Sequence, residues 1–424
     1  MGSRWGAAGR GPLTVLCLVG LVDALDRGVL PGVLPKVQRA LGFGDFQAGL
    51  LDTALIVATL LLAVPGGLLA DRVDRRRLIR GTLGVWALSS ALAAATTSFG
   101  QLFAVRAVLG AGDALNDPAA QSLVAEYYPP EVRGRAFGWQ RVVPTVGRGL
   151  GLGLGALVGA LLGWRAAFLL VGVPGILVAL LVRRLPAGSR AAAPGPARTS
   201  AGAMRATLSI PSLRALLLTT AVTSAALSAL AFWGVAYHVR SSGLAEGKAG
   251  AVAGGVILLG AVTGGFAGGV AADRLRQVVA DAGMLLAAGA LAVGTLLLLV
   301  SFVDGLPVYA VRLPLQGVAV AFLVAALPAL AALTTEVVPG ELRGTAFGIL
   351  KFGGNLLSAL APPLVGLLAD AHKVADRHGV VHGDLGFAFR WTVWTVLIGS
   401  VLLAWGRRHV ASDMARAAGG GVDA

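Results

Sequence analysis

Long apolar runs recur along the whole chain and are separated by short polar or charged connections. A run of about 20 apolar residues is long enough to cross the roughly 30 Å hydrocarbon layer of a bilayer as an α-helix. The chain contains twelve such predicted spans, near residues 13–35, 46–70, 78–98, 101–125, 137–162, 166–182, 214–239, 248–272, 283–303, 306–333, 345–369 and 387–405. The pattern therefore predicts an all-α integral membrane protein.

Composition supports this prediction. The chain is 56% apolar and only 13% charged, whereas soluble domains carry about 25% charged residues. So much apolar surface needs the lipid bilayer as its partner. The net charge of +14 does not indicate nucleic-acid binding, because the basic residues lie in short connections between apolar runs. No nucleotide-binding motif or clustered metal-ligand pattern is present, so we expect no cofactor, no metal and no nucleic acid. We also expect a monomer.

The basic residues also predict sidedness. An even number of spans puts both termini on one side, and Lys and Arg are concentrated there, as in residues 75–77 and 183–184. The positive-inside rule then places both termini in the cytoplasm. The first apolar run carries charges and no cleavage-type site follows it, so it is predicted to be a retained span. The Arg-, Ala- and Gly-rich usage is typical of a GC-rich bacterial genome, so we expect a multi-pass protein of the bacterial inner membrane.

Two motifs occur twice. GLLADR at 67–72 corresponds to GVAADR at 269–274, and EVRGRAFG at 131–138 corresponds to ELRGTAFG at 341–348. Two motif pairs at nearly equal separations predict a parallel duplication of a six-span unit.

The predicted domains follow from this repeat and from a break in the hydrophobic pattern. Residues 183–213 are rich in Pro, Gly, Ala, Ser and Arg and are predicted to be a cytoplasmic linker. An N-terminal six-helix bundle is then expected over 1–182 and a C-terminal six-helix bundle over 214–424.

The segment GLLADRVDRRR at 67–77 resembles the major facilitator superfamily signature between spans two and three, and GVAADRLR resembles its weaker echo between spans eight and nine. The resemblance implies the major facilitator fold, with 12 transmembrane helices in two six-helix bundles that rock about a central cavity. It also implies a transporter and not an enzyme.

These loops are predicted to form a cytoplasmic gate. Glycine permits close helix packing, the acid can accept from a helix start, and the arginine forks suit carboxylates such as Glu126 or Glu131. Such a latch would stabilise an outward-facing state; the alternative is that the basic run only sets topology. The predicted gate residues are Gly67, Asp71, Arg72, Arg75, Arg76, Gly269, Asp273 and Arg274.

A narrower resemblance involves three segments: DALDR at 23–27, QAGLLDTA at 47–54 and RAVLGAGDA at 106–114. Together they look like the spinster-like transporters, whose members are proposed to export lysophospholipids or sphingoid phosphates, coupled to protons in bacterial relatives. The chain departs from that pattern with Asp113 where the family usually has Glu, and with Asp52 and Arg148. These departures leave the substrate open.

Ionisable groups within a membrane span are energetically costly and normally face a cavity or a partner. Arg106 and Asp113 lie two turns apart on one face of span four, so they are predicted to pair. Protonation of Asp113 would free Arg106 for an anionic headgroup, while a static ion pair that braces the helices is the alternative. The predicted substrate- and proton-binding residues are Asp26, Arg27, Asp52, Arg106, Asp113, Lys351 and Asn355.

Two further features have competing interpretations. Lys351 and Asn355 lie one turn apart in span eleven, where Lys351 could bind substrate or extend to the interface. The glycines of span five recur every four residues and predict a helix-packing face rather than a phosphate loop. They are Gly147, Gly151, Gly155 and Gly159.

The leading hypothesis is a proton-coupled secondary active transporter that moves an amphipathic anionic, lysophospholipid-like substrate by alternating access. The alternative within transport is multidrug or small-metabolite efflux, although the glycine–proline pattern of span five in drug antiporters is absent. A membrane enzyme should show a catalytic His, Ser or acid cluster near the interface, and none is recognised. A transporter-like sensor would be expected to carry a long tail or a soluble domain.

Overall fold

The computed structural model describes residues 9–186, 201–276, 282–375 and 381–418. These residues form twelve long helices of 19 to 34 residues and one short helix, α7 (Ala201–Ser209). The long helices are α1 (Gly11–Leu41), α2 (Asp45–Arg72), α3 (Arg75–Ala95), α4 (Phe99–Tyr127), α5 (Pro130–Leu162), α6 (Trp164–Val182), α8 (Pro211–Ser242), α9 (Glu246–Arg276), α10 (Ala282–Ser301), α11 (Leu313–Val337), α12 (Arg343–Ala371) and α13 (Leu385–Ala418).

Three shorter elements complete the described architecture. A π-helical turn, Val308–Arg312, precedes α11, and a 3₁₀ turn, Gly340–Leu342, precedes α12. An antiparallel hairpin of β1 (Lys373–Ala375) and β2 (Val381–Gly383) joins α12 to α13, and its ladder pairs Val374 with His382. We call the side that carries the α1–α2, α5–α6 and α8–α9 connections the far side.

The predicted spans are confirmed, because each coincides with one long helix. Ten of these helices are long and apolar enough to cross a membrane. The two others, α1 and α4, carry charged side chains in their central turns. Asp23, Asp26 and Arg27 lie in α1, and Arg106 and Asp113 lie in α4.

The chain divides into two compact units. Unit 1 comprises Met1–Pro196 with Phe232–Gly255, and unit 2 comprises Ala197–Ala231 with Val256–Ala424. The far-side parts of α8 and α9 thus belong to unit 1. The predicted domain boundaries at 182 and 214 describe the sequence repeat and stay a prediction.

Helix pairing repeats between the units. In unit 1, α2 packs on α4, and α3 packs on α4 and α6; in unit 2, α9 packs on α11, and α10 packs on α11 and α13. The repeated motifs occupy equivalent places, since one pair ends α2 and α9 and the other begins α5 and α12. These equivalences support the predicted duplication.

The predicted packing face on α5 is confirmed. A Cβ added at its four stripe glycines would meet residues of α1 that are also spaced by four, namely Leu21, Leu25, Val29 and Val33. The tightest approach is at Gly151, where the added atom would lie 2.3 Å from the Leu25 carbonyl oxygen. α1 contributes Gly28, whose added Cβ would lie 2.6 Å from the Arg148 carbonyl oxygen. Only glycine allows these backbones to approach so closely.

This seam predicts a position-specific effect within one helix. Gly151→Ala should destabilise the protein by about 1–3 kcal/mol, because the backbones must separate to admit a methyl group. Gly153→Ala is the matched control, since its added Cβ would meet its nearest atoms at 3.9 Å. This control should be neutral or stabilising by up to about 1 kcal/mol through helix propensity. Thermal unfolding in detergent measures both changes, and equal melting temperatures would contradict the seam.

Candidate functional site

Unit 1 contains a cluster of charged side chains on four of its helices. α1 supplies three of them at spacings that place them on neighbouring faces, and the α1–α5 seam brings α5 alongside. The members of this charged cluster are Asp23, Asp26, Arg27, Asp52, Arg106, Asp113 and Arg148.

Arg27 lies between two carboxylates. Its Nη2 lies 2.6 Å from Asp113 Oδ2, and its Nε donates to Asp23 Oδ1 at 3.1 Å. The Asp113 side chain is 2% exposed, whereas that of Arg27 is 30% exposed. The guanidinium is therefore neutralised by a buried acid while part of it stays accessible.

A second pair is fully enclosed. Ser90 Oγ of α3 donates to Asp26 Oδ1 at 2.5 Å, and Arg106 Nη1 lies 3.5 Å from Asp26 Oδ2. All three side chains are buried. Within the described residues, Nε and Nη2 of Arg106 have no hydrogen-bond partner. This pair links α1, α3 and α4 and is not open to solvent.

The structure gives both residues of the predicted Arg106–Asp113 pair other partners, because Arg106 pairs with Asp26 and Asp113 pairs with Arg27. A direct Arg106–Asp113 contact stays a prediction. The reason for the observed partners is the length of α1, which continues to Leu41 and so places Arg27 near its middle. Asp113 is 14 residues from either end of α4, so these two side chains meet at mid-helix depth. Arg106 lies only seven residues from the start of α4 and meets the neighbouring Asp26 instead.

Asp52 and Arg148 form the third part of the cluster. Asp52 of α2 is 7% exposed, and within the described part of the chain its Oδ2 has no hydrogen-bond partner. Arg148 of α5 is partly buried, and Asp52 is the charged group that acts on it most strongly. Arg27, Asp23 and Arg106 act on it more weakly, so Arg148 interacts electrostatically with four other members of the cluster.

The cluster holds one carboxylate more than it holds arginines. Four aspartates against three arginines give a net charge of −1 when all are ionised. Arg106 has one acid beside it, and Arg148 has one as its strongest charged neighbour, whereas Arg27 has two within 3.1 Å. The excess acid therefore belongs to the Arg27 group.

Three polar side chains near the cluster were missed from the sequence. Ser90 and Trp86 lie one turn apart on α3, and Asn116 lies one turn beyond Asp113 on α4. All three are buried, and among the described residues Trp86 Nε1 and Asn116 Oδ1 have no hydrogen-bond partner. The spacing from Asp113 could have indicated Asn116. Nothing in the sequence distinguishes Ser90 from the many small residues of these spans.

Lys351 and Asn355 lie on α12, outside unit 1. Lys351 is exposed and Asn355 is partly buried, one turn further along the helix. Between them Gly354 faces Ser224 of α8, with 3.4 Å between an added Cβ and the serine oxygen. Substrate binding by Lys351 and Asn355 stays a prediction.

The predicted gate is only partly described. Four of its residues lie near the ends of α2 and α9, and the structure describes only their backbones. They are Gly67, Asp71, Arg72 and Asp273. Arg274 is exposed, and a Cβ added at Gly269 would meet open space.

The described part of the loop ties three helices of unit 1 together. Arg75 Nη1 lies 3.2 Å from Glu126 Oε2 of α4, which is one of the carboxylates expected for this loop. Arg76 Nη1 donates to the Leu185 carbonyl at 3.2 Å, beyond the end of α6. Burial raises the pKa of Tyr127 to about 12, and its hydroxyl donates to the Pro186 carbonyl at 2.8 Å.

Asp74 caps α3 in the same loop. Its carboxylate accepts from the backbone N–H groups of Arg76 and Arg77 at 2.9 and 3.4 Å. The side-chain hydrogen bond from Arg76 is the main cause that lowers the pKa of Asp74.

The chain belongs to the Major Facilitator Superfamily, which it matches over residues 16–326. This match and the twelve-helix fold define a multi-pass membrane transporter.

Two relatives indicate branches of this family. Over 375 residues the chain is 28% identical to an MFS-type efflux pump of Mycolicibacterium smegmatis, covering 87% of this chain and 85% of the pump. Over 184 residues it is 29% identical to Protein spinster of Drosophila melanogaster, covering 42% of this chain and only 30% of that protein. The chain thus matches less than a third of the length of that curated relative.

A solved structure shares the fold. It is a bacterial homolog of the human lysosomal transporter Spinster in an inward-facing and unoccupied conformation. The two chains superpose with a TM-score of 0.75 at 21% identity, covering 95% of this chain and 96% of the other. The match to Protein spinster confirms the resemblance to spinster-like proteins seen in the sequence, and this solved structure shows that the fold is shared.

The two observed ion pairs, Arg27–Asp113 and Arg106–Asp26, can be tested by double-mutant cycles on thermal unfolding in detergent. The cycle of Arg27→Gln with Asp113→Asn should show a coupling energy of about 0.5–3 kcal/mol, as is usual for residues in contact. The cycle of Arg106→Gln with Asp26→Asn should show a coupling energy in the same range. The cycle of Arg106→Gln with Asp113→Asn serves as the control and should couple more weakly. A larger value for the control would restore the pairing predicted from the sequence.

The Asp74 cap gives a pH-dependent prediction. Asp74→Ala should destabilise the protein by about 0.5–2 kcal/mol, whereas Asp74→Asn should retain most of the cap. Because the pKa of Asp74 is lowered in the folded state, its charge stabilises above the unfolded pKa of about 4. That contribution is lost as pH falls through the folded pKa. Melting temperatures of wild type and Asp74→Asn between pH 7 and acid conditions test this, and a constant difference would contradict it.

Proposed function

We propose that the protein is a proton-coupled secondary active transporter that moves an amphipathic anionic substrate, such as a lysophospholipid, by alternating access. The observation that carries the proposal is the Arg27 group, in which a partly exposed guanidinium lies between a buried and a less buried carboxylate. We also propose that the protein lies in the bacterial inner membrane with both termini in the cytoplasm, as the distribution of basic residues predicts.

Proton binding and substrate binding are linked through Arg27. When Asp113 binds a proton, its charge attraction for Arg27 Nη2 is lost and the guanidinium can turn to a phosphate or carboxylate. An arginine fork suits such groups because it can donate two parallel hydrogen bonds. When Asp113 releases the proton, it competes for Arg27 again and weakens the hold on the substrate.

The other charges have supporting roles in this mechanism. The enclosed pair of Arg106 and Asp26 positions α1 against α4, because neither side chain is accessible enough to meet a substrate. Asp52 and Arg148 attract each other, and we propose that a substrate headgroup binds there as well. Lys351 and Asn355 of α12 are also proposed to bind the substrate.

Small-metabolite or drug efflux is the second candidate function. The match to the mycobacterial efflux pump spans most of both chains, which favours it. A cationic drug would bind to the excess carboxylate of the Arg27 group, in competition with Arg27 itself. The two functions therefore predict opposite effects of substrate charge.

Reconstitution in liposomes separates these functions. Lysophosphatidylglycerol should cause proton movement, read by an enclosed pH-sensitive dye, in the wild type. Asp113→Asn should abolish the proton movement, and Arg27→Gln should reduce lipid-dependent flux at least about tenfold, since a charge-assisted hydrogen bond contributes about 1.5–3 kcal/mol. Arg183→Gln, at an exposed position just after α6, is the matched control and should behave as wild type.

Loss of folding must be distinguished from loss of function. Arg27→Gln leaves two acids without their cation, so the double variant Arg27→Gln/Asp113→Asn is added because it leaves fewer unpaired charges. A folded double variant without flux supports the role of the pair. Proton movement driven by tetraphenylphosphonium but not by the lysolipid would replace the proposal with efflux.

A further inference from the structure

Two buried polar groups between α3 and α4 have no role in the proposed mechanism. Trp86 of α3 is 3% exposed, and Asn116 of α4 is 4% exposed. Within the described residues, the Trp86 Nε1 donor and the Asn116 Oδ1 acceptor have no hydrogen-bond partner. Burying a polar group without a partner costs free energy, so native proteins satisfy nearly all such groups. An unpartnered donor and an unpartnered acceptor in one helix interface therefore call for a common partner.

Gly112 lets the indole nitrogen of Trp86 lie against the backbone of α4. A Cβ added at Gly112 would lie 2.8 Å from Trp86 Nε1 and 3.1 Å from Trp86 Cδ1. A larger residue at this position would therefore displace the indole. Asn116 lies one turn after Gly112 on the same face of α4, so the two Cβ positions are about 5–6 Å apart. The Asn116 side chain thus begins close to the indole N–H.

The two side chains also lean toward each other. The start of α3 lies beside the end of α4, because Arg75 Nη1 is 3.2 Å from Glu126 Oε2. Side chains of a helix lean toward its N-terminal end. Trp86 therefore leans toward the end of α4, while Asn116 leans back toward Gly112. The indole N–H and the amide oxygen converge in this way from opposite directions without bonding to each other.

A water molecule can satisfy such a donor and such an acceptor together. Buried waters typically make about three hydrogen bonds to polar groups that lack other partners. The oxygen of a water at this place would accept from Trp86 Nε1, and one O–H would donate to Asn116 Oδ1. Its second O–H would then be available for a further acceptor.

The rotation of α4 points to Asp113 as that acceptor. Successive residues of an α-helix are turned by about 100°. Asn116 therefore lies between the direction of Gly112, which faces α3, and the direction of Asp113, which faces α1. An ionised carboxylate has about four acceptor sites, so Asp113 can bind a water as well as Arg27.

We propose that Trp86 and Asn116 together bind a water molecule between α3 and α4. This water lies beside Asp113 and donates to its carboxylate when Arg27 turns to the substrate. The inference rests on the proposed function and adds to it, because a buried carboxylate that loses its cation needs another stabilising group. Trp86 and Asn116 are thus positioning residues that act on Asp113 through the water.

X-ray radiolysis with mass spectrometry tests the site in the wild type without a substrate. Hydroxyl radicals formed from a bound water label the side chains beside it, even where bulk solvent has no access. Trp86 should be labelled about tenfold faster than Trp233, which is fully buried and packs on Phe232. Asn116→Leu should reduce the labelling of Trp86 to the rate of Trp233. Equal rates for the two tryptophans in the wild type would overturn the site.

A double-mutant cycle on melting temperature is the second readout. Trp86→Phe and Asn116→Leu should each lower the melting temperature by about 2–4 °C. The double variant should fall by less than the sum, because the same water is lost in either single variant. The smaller size of phenylalanine contributes in both backgrounds and cancels in the cycle. Trp391→Phe, at an exposed position of α13, is the matched control and should combine additively with Asn116→Leu. Additive effects of Trp86→Phe and Asn116→Leu contradict a shared water.

Transport in liposomes tests the role beside Asp113. Trp86→Phe and Asn116→Leu should each lower the maximal rate of lysophosphatidylglycerol-driven proton movement about tenfold, because a hydrogen bond to a charged group is lost. The half-saturating lipid concentration should not rise, since Arg27 is unchanged. Asn116→Ser keeps a hydrogen-bonding oxygen and should recover most of the rate. A raised half-saturating concentration with an unchanged maximal rate would reject this role.

Failure of the inference and failure of the proposed function give different results. If the wild type shows no lipid-driven proton movement, the proposed function and the role beside Asp113 are both rejected, while radiolysis still decides the water site. If the wild type moves protons with the lipid but labels Trp86 no faster than Trp233, only the inference is rejected. Because radiolysis uses the wild type, misfolding of a variant does not affect that decision.

Discussion

The contact between Arg27 and Asp113, at 2.6 Å, is the interaction around which unit 1 is arranged. A charge within a membrane span is costly unless a partner or water compensates it. The chain places seven such groups on four helices and compensates them with one another rather than with lipid headgroups. Each helix that contributes a charge must therefore keep its depth and rotation relative to the others. That requirement explains why α1 and α4 can remain in the membrane despite the charged side chains in their central turns.

Close backbone packing makes this compensation possible. The α5 glycines let α1 approach until backbone atoms touch, so that Arg148 and the charges of α1 act on one another. α2 and α4 meet in the same way, with an added Cβ at Gly110 only 2.1 Å from the Leu55 carbonyl oxygen. Small residues and buried charges therefore depend on each other. The small residues allow a short distance between helices, and the buried charges need that short distance to pair.

The features that depend on local sequence pattern could be predicted from the sequence. Apolar runs gave the twelve helices, paired motifs gave the repeat, and spacing by four gave the α5 packing face. Prediction failed where the answer depends on how helices rotate against each other. Asp26 and Arg27 are adjacent in the sequence, yet one contacts Arg106 and the other Asp113. Ser90 was missed because a single serine in an apolar span carries no signal until its partner across the helix interface is known.

Arg27 and Arg106 differ in how easily each can exchange its aspartate partner for a substrate. Arg106 is enclosed, so a substrate could reach it only if α1 and α4 separated, which would expose Asp26 to lipid or cavity without its cation. Arg27 is partly exposed and shared between two acids, so it can exchange one partner for a substrate while the other still compensates it. The enclosed Arg106–Asp26 pair and the exchangeable Arg27–Asp113 pair, both between α1 and α4, therefore have different roles. The enclosed pair keeps α1 in register with α4, and that register keeps the exchangeable arginine at the depth of Asp113.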